Sequence, residues 1–280
     1  MDGDAMVRGL IADGLDQDDV AQTAPTLRHF AAACPQKEDA PAIRECVSPA
    51  SFWQPKHILP SAWYQHAPFA FWITEAVRPC VFVELGVHHG FSYLVFCQAV
   101  QRLELMTKCY AVDTWKGDLH AGFYGNDVFE TLNDLHERHY SGFSRLIRSS
   151  FDEALSHFGD GTIDLLHIDG RHGYDDVLHD FGSWLPKLSD RGVVLLHDIN
   201  VRERGFGVWR FWEEISKECL AFEFLHCHGL GVLNIGRLAT DGVHALLTST
   251  GSTRFAIREI YAELGRRVTT YLSEPRAELS

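Results

Sequence analysis

The sequence predicts an α/β protein built on a doubly wound, Rossmann-like sheet of seven mostly parallel strands. Short apolar runs alternate with helix-like segments from residue 81 to about residue 236, which is typical of successive strand–helix units. Four of these runs end on a carboxylate. The last two runs of the chain, at residues 222–226 and 231–235, are joined by a glycine-rich turn. A parallel crossover needs a longer connection, so the last two strands are predicted to form an antiparallel hairpin at the end of the sheet.

The first strand–helix unit shows what kind of ligand the sheet could bind. An apolar run at residues 81–85 leads into a turn at Gly86 and a helix-like segment at residues 91–102. In a doubly wound sheet the ligand lies beyond the carboxyl end of such a strand. The dinucleotide-binding fingerprint has glycine where this turn has His88, so the tight phosphate cradle is missing. Glu84 at the strand tip would also repel phosphates, and it suits a ligand with an ammonium or sulfonium group.

The later units follow in the order that a doubly wound sheet requires. The other predicted strands lie at residues 109–113, 145–148, 163–169, 193–198, 222–226 and 231–235. Helices are predicted at about residues 129–139 and around Asp180. Between successive strands from residue 81 to residue 198 the chain is long enough for a crossover. These five strands are therefore predicted to be parallel.

Acidic residues end four of the predicted strands, namely Glu84, Asp113, Asp169 and Asp198. The carboxyl ends of parallel strands share one edge of a sheet, so these acids are predicted to converge on one crevice. Clustered carboxylates repel each other and need a cation or a donor-rich ligand nearby. This convergence is the strongest functional signal in the chain.

The regions that flank the alternating pattern are predicted to differ from it. Residues 1–50 form an acidic N-terminal extension with weak helical patches, residues 51–236 the α/β domain, and residues 237–280 a linker and a C-terminal amphipathic helix. The apolar stripe of that helix needs a partner, which is this domain, a second copy in a homodimer, or a neighbouring module. The aromatic stretch at residues 51–78 is either a helix packed on the sheet or a lid with His66 facing a pocket.

Composition excludes several classes of partner and site. A formal net charge of −13 argues against nucleic acid or an anionic membrane as the main partner. We find neither an apolar run of membrane-spanning length nor a signal-peptide pattern. The 7 cysteines include no C-x-x-C pair, so they are interpreted as buried thiols of a cytoplasmic protein. The trio at residues 226–228, His-Cys-His, resembles a metal motif, but it falls where a strand is predicted, which favours a structural role.

Two motifs carry a resemblance to a known family. The first is the acidic-residue, glycine, spacer, glycine motif at residues 84–90, and the second is I-D-G-x-H-x-Y at residues 168–174, followed by a strand that ends in His-Asp at residues 197–198. Together they resemble class I S-adenosylmethionine-dependent methyltransferases. The second motif is similar to that of a subgroup with sugar and macrolide O-methyltransferases and cephalosporin-tailoring enzymes. The resemblance covers about residues 63–236.

The resemblance implies a cofactor and the residues that bind it. S-adenosylmethionine would be the methyl donor and S-adenosylhomocysteine the product. The implied cofactor residues are Glu84, Gly86, His88, Gly90, Ser92, Asp113, Ser150, Phe151 and Asp169. Asp113 would contact the ribose hydroxyls, as an acid does at this place in nucleotide-binding sheets. Ser150 has an alternative role as the N-cap of the next helix, with Glu153 completing a capping box.

The resemblance also implies a catalytic centre at the Asp169 and Asp198 strand ends. In metal-dependent relatives these two positions bind a divalent ion such as Mg²⁺, and His172 would be the base that takes the acceptor proton. Asp169 would therefore be catalytic as well as a ligand. The third ligand is open between His197 and Asn200, and an imidazole nitrogen is less suited to magnesium.

The expected activity is methylation of a hydroxyl on a sugar or glycan, as in the biosynthesis of a bacterial surface polysaccharide. One alternative is O-methylation of a small natural product. A nicotinamide-dependent oxidoreductase is disfavoured by His88 in the glycine turn and by the terminal hairpin. A non-catalytic module that keeps the cofactor fold is disfavoured by the intact set of Asp169, His172 and Asp198.

Overall fold

The computed structural model describes residues 43–118 and 120–273 of the 280-residue chain, with side chains described as far as residue 270. Most of the predicted N-terminal extension therefore lies outside the described residues. Its last part forms two short 3-10 turns, Ile43–Glu45 and Pro49–Phe52. Ser48 caps the second of these turns, and both pack beside the α/β domain.

The described strands match the predicted ones closely. They are β1 Val81–Leu85, β2 Lys108–Asp113, β3 Gly117–Asp118, β4 Gly122–Phe123, β5 Ser144–Arg148, β6 Ile163–Ile168, β7 Leu188–His197, β8 Leu220–Phe224 and β9 Leu230–Asn234. Seven of them form one sheet in the order β5-β2-β1-β6-β7-β9-β8, and β3 and β4 form a small separate ribbon. The first five strands of the main sheet are parallel, and β9 runs antiparallel to both β7 and β8. The predicted seven-stranded, mostly parallel sheet with a terminal hairpin is confirmed.

Strand register places the functional loops side by side. Leu85 at the end of β1 pairs with Val112 of β2 and with Ile168 of β6, which in turn pairs with Leu196 of β7. The chain leaves β1 toward β2 on one side, while β6 lies on the other. This reversal is the switch point at which open α/β sheets bind ligands.

Helices cover both faces of the sheet. They are α1 Ala67–Val77, α2 Phe91–Arg102, α3 Asn126–His139, α4 Phe151–Ala154, α5 Tyr174–Trp184, α6 Val208–Ile215, α7 Asp241–Thr248 and α8 Gly251–Ser273. Side chains on a strand alternate between faces, so Phe82 packs with α1, α2, α7 and α8, whereas its neighbour Val83 packs with α4, α5 and α6. The result is two hydrophobic cores, one on each face.

Helix α7 lies where the sequence predicted a linker, and this prediction is wrong. Val243, Leu246 and Leu247 of α7 are buried in the same core as α1 and α2. The helix has only eight residues, which is too short for a clear helical period in the sequence. Its burial shows that the packed domain extends past residue 236.

The C-terminal helix α8 has its partner in this domain. Ile257, Tyr261 and Leu264 of its predicted stripe belong to the core that contains α1. The Tyr261 hydroxyl donates a hydrogen bond of 2.8 Å to the Cys46 carbonyl, and its oxygen lies 3.1 Å from Ser51 Oγ. A homodimer or a neighbouring module through α8 stays a prediction. Among the described helices, we find none with the length and apolar character to cross a membrane.

The aromatic stretch before β1 contains the predicted helix on the sheet, whereas His66 is buried in the core and does not line the cavity as the alternative predicted. Helix α1 packs on the sheet and on α2. The residues before it, from Pro60 to Trp63, line a cavity at the carboxyl edge of the sheet. His66 faces inward and is fully buried, with its ring centroid 5.6 Å from that of His197.

Candidate active site

A cavity of about 830 Å³ opens at the carboxyl edge of the parallel strands. Loops after β1, β2, β5, β6 and β7 line it, and the segment before α1 closes one side. This volume lies within the range of about 300–1,000 Å³ that is usual for small-molecule sites. The cavity is therefore large enough for a cofactor together with part of a second substrate.

The turn after β1 brings two strand ends into contact. Gly86 has a φ of +83°, and a Cβ atom there would lie 2.0 Å from the carbonyl oxygen of Asp169. Only glycine can hold this turn against the loop after β6. His88 also has a positive φ, of 50°, and its ring lies 4.9 Å from that of Tyr124. Gly90 follows as the N-cap of α2.

Asp113 holds this turn in place. One of its carboxylate oxygens accepts hydrogen bonds from the backbone N–H groups of Val87 and His88, at 2.8 and 3.0 Å. The other oxygen accepts a 2.7 Å hydrogen bond from the N–H of Trp115. Asp113 also lines the cavity. A carboxylate can accept about four hydrogen bonds, so it keeps capacity for a hydroxyl donor, and its predicted contact with ribose stays a prediction.

Glu84 does not join the other three acids, so the expectation that all four would converge in the crevice is wrong for this residue. Glu84 is fully buried, with Ser92 Oγ donating a 2.7 Å hydrogen bond to it and His167 Nδ1 lying 3.1 Å away. Burial raises the pKa of this carboxyl, while the nearby His167 and Ser92 oppose the rise. Glu84 lies one residue before the strand end and faces α2, below the cavity. Ser92 itself does line the cavity.

Ser150 and Phe151 lie where a cofactor contact is possible, and Ser150 also has its alternative role as an N-cap, while the contact with the cofactor stays a prediction. Ser150 and Phe151 line the cavity. Ser150 also forms the predicted capping box, in which its hydroxyl accepts from the N–H of Glu153 and the Glu153 carboxylate accepts from the N–H of Ser150. A Cβ at Gly170 would lie 2.5 Å from the Phe151 ring, so the loops after β5 and β6 are in contact.

The predicted catalytic residues come together as expected. His172 Nε2 lies 2.8 Å from one oxygen of Asp198 and 3.8 Å from Asp169 Oδ1. Burial by itself would lower the pKa of His172, but the hydrogen bonds and charges of both aspartates outweigh it and raise the pKa to about 9. His172 thus bridges the two carboxylates as a cation.

His197 lies in the same cluster, as the prediction of His197 as the third metal ligand required. Its Nδ1 lies 3.1 Å from Asp169 Oδ1 and 3.5 Å from Asp198 Oδ1. Burial opposes the charged imidazole, but the two aspartates raise its pKa well above the usual value. Burial would raise the pKa of each aspartate, but the charge of His197 and the hydrogen bonds from the histidines hold both well below the usual range.

Asn200, the other alternative, lies away from the cluster. Its side-chain amide donates a 3.1 Å hydrogen bond to the carbonyl of Leu225, and it does not line the cavity. The position two residues after Asp198 belongs to a turn that leads away from the sheet edge. The prediction of Asn200 as a ligand is therefore wrong for this arrangement.

His228 is the site residue that the sequence argument missed. Its Nδ1 lies 2.9 Å from Asp198 Oδ1, and its ring stacks on His197 at 5.9 Å. The strand predicted at residues 222–226 ends at Phe224, so residues 226–228 lie in the hairpin turn. The trio was set aside because a strand was predicted there, and for His228 this reason was wrong. The glycine-rich turn after this trio was the available signal. A strand parallel to β7 ends at the carboxyl edge of the sheet, so the turn that follows it lies close to the site.

Two loops meet over His172. Phe206, from the loop after β7, stacks on the His172 ring with centroids 4.3 Å apart and an angle of 16°. The ring centroid of His120, from the loop after β2, lies 4.9 Å from that of Phe206 and 5.5 Å from that of His172. The N–H of Gly207 donates a 2.6 Å hydrogen bond to the carbonyl of His172. These contacts hold the imidazole ring in the lining of the cavity.

Acidic side chains dominate the described lining of the cavity. The aspartates of the lining are Asp113, Asp118, Asp152, Asp169, Asp175, Asp176, Asp180 and Asp198. Arg171 and Arg204 are the arginines of this lining, and it holds no lysine. The cavity therefore favours ligands that carry positive charge or none.

Comparison with known proteins agrees with this geometry. Residues 83–199 match a family model described as a methyltransferase domain. A curated relative, the uncharacterized protein y4gI of Sinorhizobium fredii, is 50% identical over 193 residues, which are 69% of this chain and 21% of that protein. The chain thus spans about a fifth of the length of this relative.

Solved methyltransferase structures share the sheet at low sequence identity. TomG from Streptomyces achromogenes, an O-methyltransferase involved in Tomaymycin synthesis and solved with SAM, is 12% identical with a TM-score of 0.47, over 71% of this chain and 92% of TomG. A methyltransferase from Geobacter sulfurreducens is 15% identical with a TM-score of 0.47, over 64% of this chain and 80% of its own. At these values the likenesses say nothing about the substrate of this chain.

The family match and the sheet point in the same direction. The matched segment begins in β1 and ends just after β7, so it contains the glycine turn, Asp113 and the cluster around Asp169 and Asp198. Residues 83–199 therefore match a methyltransferase domain, and the sheet that contains them has the seven-stranded Rossmann-like fold of class I S-adenosylmethionine-dependent methyltransferases.

Proposed function

We propose that the protein transfers a methyl group from S-adenosylmethionine to a hydroxyl oxygen of a neutral, polyhydroxylated acceptor, namely a sugar or a glycan. One observation carries the proposal. The cluster of Asp169, His172 and Asp198 lines the same cavity as the glycine turn of the segment that matches a methyltransferase domain. A cofactor site and a candidate base thus share one cavity.

The charge of the cavity supports a cationic cofactor. S-adenosylmethionine carries a sulfonium, and the carboxylates of the lining provide the negative potential that favours it. Asp113 has free acceptor capacity next to the turn formed by Gly86 and His88. These residues would bind the ribose and orient the methyl group toward the loop after β6.

His172 is the proposed base. In the transfer, the acceptor oxygen attacks the methyl carbon, the carbon–sulfur bond breaks, and the hydroxyl proton passes to the imidazole. A pKa of about 9 means that His172 must first lose its own proton. A positive charge near the aspartates favours this loss, and the sulfonium of the bound cofactor supplies one such charge.

A divalent cation is a second source of positive charge. Asp169 and Asp198 would hold it, since the ion pairs of both carboxylates among the described residues are with histidines. A bound ion would stabilise the negative charge that develops on the acceptor oxygen. The residues of the cluster therefore fit a metal ion as well as a metal-free mechanism based on His172.

The lining also bears on the acceptor. A phosphate-bearing acceptor, such as a nucleotide sugar or a coenzyme A thioester, would meet the repulsion of the aspartates. Two arginines of the loop after β7 do little to offset this charge, because Arg202 pairs with Glu213 at 2.6 Å and Arg204 packs over the Phe206 ring. Sugar sites usually combine an aromatic ring with fixed polar groups, and the lining offers the partly exposed ring of His120 together with its aspartates.

A small natural product with a neutral hydroxyl is the second candidate acceptor. The acidic lining favours such a neutral acceptor as well, and the aromatic rings of His120 and Phe206 would suit a flat ring. A catechol, however, would favour a narrow and mainly apolar slot, whereas this cavity is wide and acidic. The sugar acceptor therefore stays the first choice.

Cofactor binding separates the enzyme proposals most simply. We expect calorimetry to show binding of S-adenosylmethionine and S-adenosylhomocysteine by the purified chain, and none of NAD. Asp113→Ala should weaken both S-adenosyl ligands. Binding of NAD alone would overturn the methyltransferase proposal, and binding of S-adenosylmethionine without transfer to any acceptor class would favour a non-catalytic module.

A further inference from the structure

Two imidazoles that the proposed methyl transfer does not use converge on the Asp198 carboxylate, beside the proposed base. The ligand atoms of His197, Asp198 and His228 all lie within 4.8 Å of one another. They come from β7, from the residue after it, and from the hairpin turn between β8 and β9. Asp169 adjoins them through its 3.1 Å contact with His197.

We propose that His197, Asp198 and His228 form a binding site for a divalent transition-metal ion, such as Mn²⁺, Co²⁺ or Zn²⁺, in preference to Mg²⁺. The proposal rests on the proposed function only in placing this ion next to the methyl-transfer site. His228 contributes a ligand from outside the segment that matches the family model, which ends at residue 199.

The distances fit coordination by a single ion. Ligand atoms about 2.1 Å from an ion, at octahedral or tetrahedral angles, lie about 3.0–3.4 Å from each other. Asp198 Oδ1 lies 2.9 Å from His228 Nδ1 and 3.5 Å from His197 Nδ1. Both distances are close to this range, and the two imidazole nitrogens lie within 4.8 Å of each other, so they would move closer together around one ion.

The side chains are also held in place. His197 is almost fully buried between Trp63 and His66, and its ring stacks on that of His228. Asp198 has a left-handed backbone with a φ of +61°, which aims its carboxylate back toward the hairpin turn. A rigid set of ligands keeps its geometry without the entropy cost of ordering mobile side chains.

Charge and ligand chemistry decide which ion fits. One divalent ion balances Asp169 and Asp198, and neutral imidazoles then complete its coordination without adding charge. Three histidines around two carboxylates make a poor site for Mg²⁺, which prefers oxygen ligands and keeps several waters. Imidazole with carboxylate suits manganese, cobalt and zinc, with affinity generally rising along that series.

The experiment measures metal binding directly, without any acceptor. The purified chain is freed of metal with a chelator and titrated by calorimetry with Co²⁺, Mn²⁺, Zn²⁺ and Mg²⁺, while Co²⁺ binding is also followed by its visible absorption. We expect one site per chain that binds Co²⁺ and Zn²⁺ at least tenfold more tightly than Mg²⁺. His228→Ala should weaken Co²⁺ binding by about 100-fold and alter the absorption band.

Two variants serve as controls. His157→Ala removes an exposed imidazole elsewhere, and Cys227→Ser removes the exposed thiol of the same turn. Neither should change the affinity for Co²⁺. Unchanged binding in His228→Ala, equal loss in Cys227→Ser, or Mg²⁺ binding as tight as that of Co²⁺ would each overturn the proposal.

S-adenosylhomocysteine binding distinguishes the two proposals. It should persist in His228→Ala, because this residue lies on the acceptor side of the cavity. A wild-type chain that binds S-adenosylhomocysteine but shows no selective metal binding refutes the metal site alone. The absence of S-adenosylhomocysteine binding in the wild type refutes the proposed function instead.

Discussion

At the scale of single residues, His172 is the most informative position. Its imidazole contacts Asp198 and stacks on Phe206, so replacement removes the proposed base without touching the glycine turn. Removal of a positioned base typically costs about 10²–10⁴-fold in rate. His172→Ala should therefore lower turnover by this factor and leave the affinity for S-adenosylhomocysteine, measured by calorimetry, nearly unchanged. Near-normal turnover would make His172 a structural residue.

Asp180 offers a test of burial within the cavity. Burial raises the pKa of its carboxyl to about 7 from the ordinary value of 3.8. The folded protein then keeps a proton that the unfolded chain releases above about pH 4. The stability that Asp180 contributes is therefore full below that pH and is lost as the pH rises through 7.

Asp180→Asn should remove this pH dependence. An amide cannot ionise, so the variant should gain free energy of unfolding relative to the wild type between pH 5 and pH 8. We expect a relative gain of about 1–2 kcal/mol, which is less than the full shift because water and local relaxation reduce it. Urea unfolding at the two pH values measures this gain. An equal difference between the two proteins at both pH values would contradict the raised pKa.

At the scale of elements, the contact between the turns after β1 and β6 links cofactor binding to catalysis. A Cβ at Gly86 would lie 2.0 Å from the Asp169 carbonyl, and the positive φ adds about 1–2 kcal/mol of strain for any other residue. Gly86→Ala should therefore lower both the melting temperature and the affinity for S-adenosylhomocysteine. Gly142→Ala is the matched control, since a Cβ there would meet nothing within 4 Å. Equal behaviour of the two variants would show that the turn is not constrained.

The strands and the site differ in how far the sequence could predict them. Apolar runs and acidic strand ends located every strand of the main sheet, because burial on both faces demands such runs. Asp169 and Asp198 followed from the same reasoning, whereas His172 came from the resemblance carried by the motif at residues 168–174. Glu84 was misplaced because a one-residue difference in position along a strand turns a side chain to another environment. His228 was missed because the end of β8 decides whether residues 226–228 lie in a strand or in a turn, and strand ends are the least certain feature of a sequence pattern.

At the scale of the whole molecule, helix α8 joins the start of the described chain to its end. Tyr261 connects α8 to Cys46 and Ser51 through hydrogen bonds in the core. Tyr261→Phe keeps the ring and removes the hydroxyl, so it should lower the free energy of unfolding by about 1–3 kcal/mol, because two buried partners lose their hydrogen bond. Phe255→Ala on the exposed face of α8 should change it by less than about 0.5 kcal/mol. A Tyr261→Phe variant as stable as the wild type would show that α8 docks by apolar contacts alone.

The central claim concerns the cavity as a whole, which is acidic, begins at the glycine turn and ends at His172. Transfer of labelled methyl groups from S-adenosylmethionine to panels of neutral sugars, phosphorylated sugars, phenols and macrolides tests it most directly, with His172→Ala as the matched inactive control. The account predicts transfer to an oxygen of a neutral sugar or glycan, little transfer to phosphorylated acceptors, and loss of transfer in the variant. Strong methylation of phenols or of phosphorylated sugars with none of any neutral glycan would contradict it.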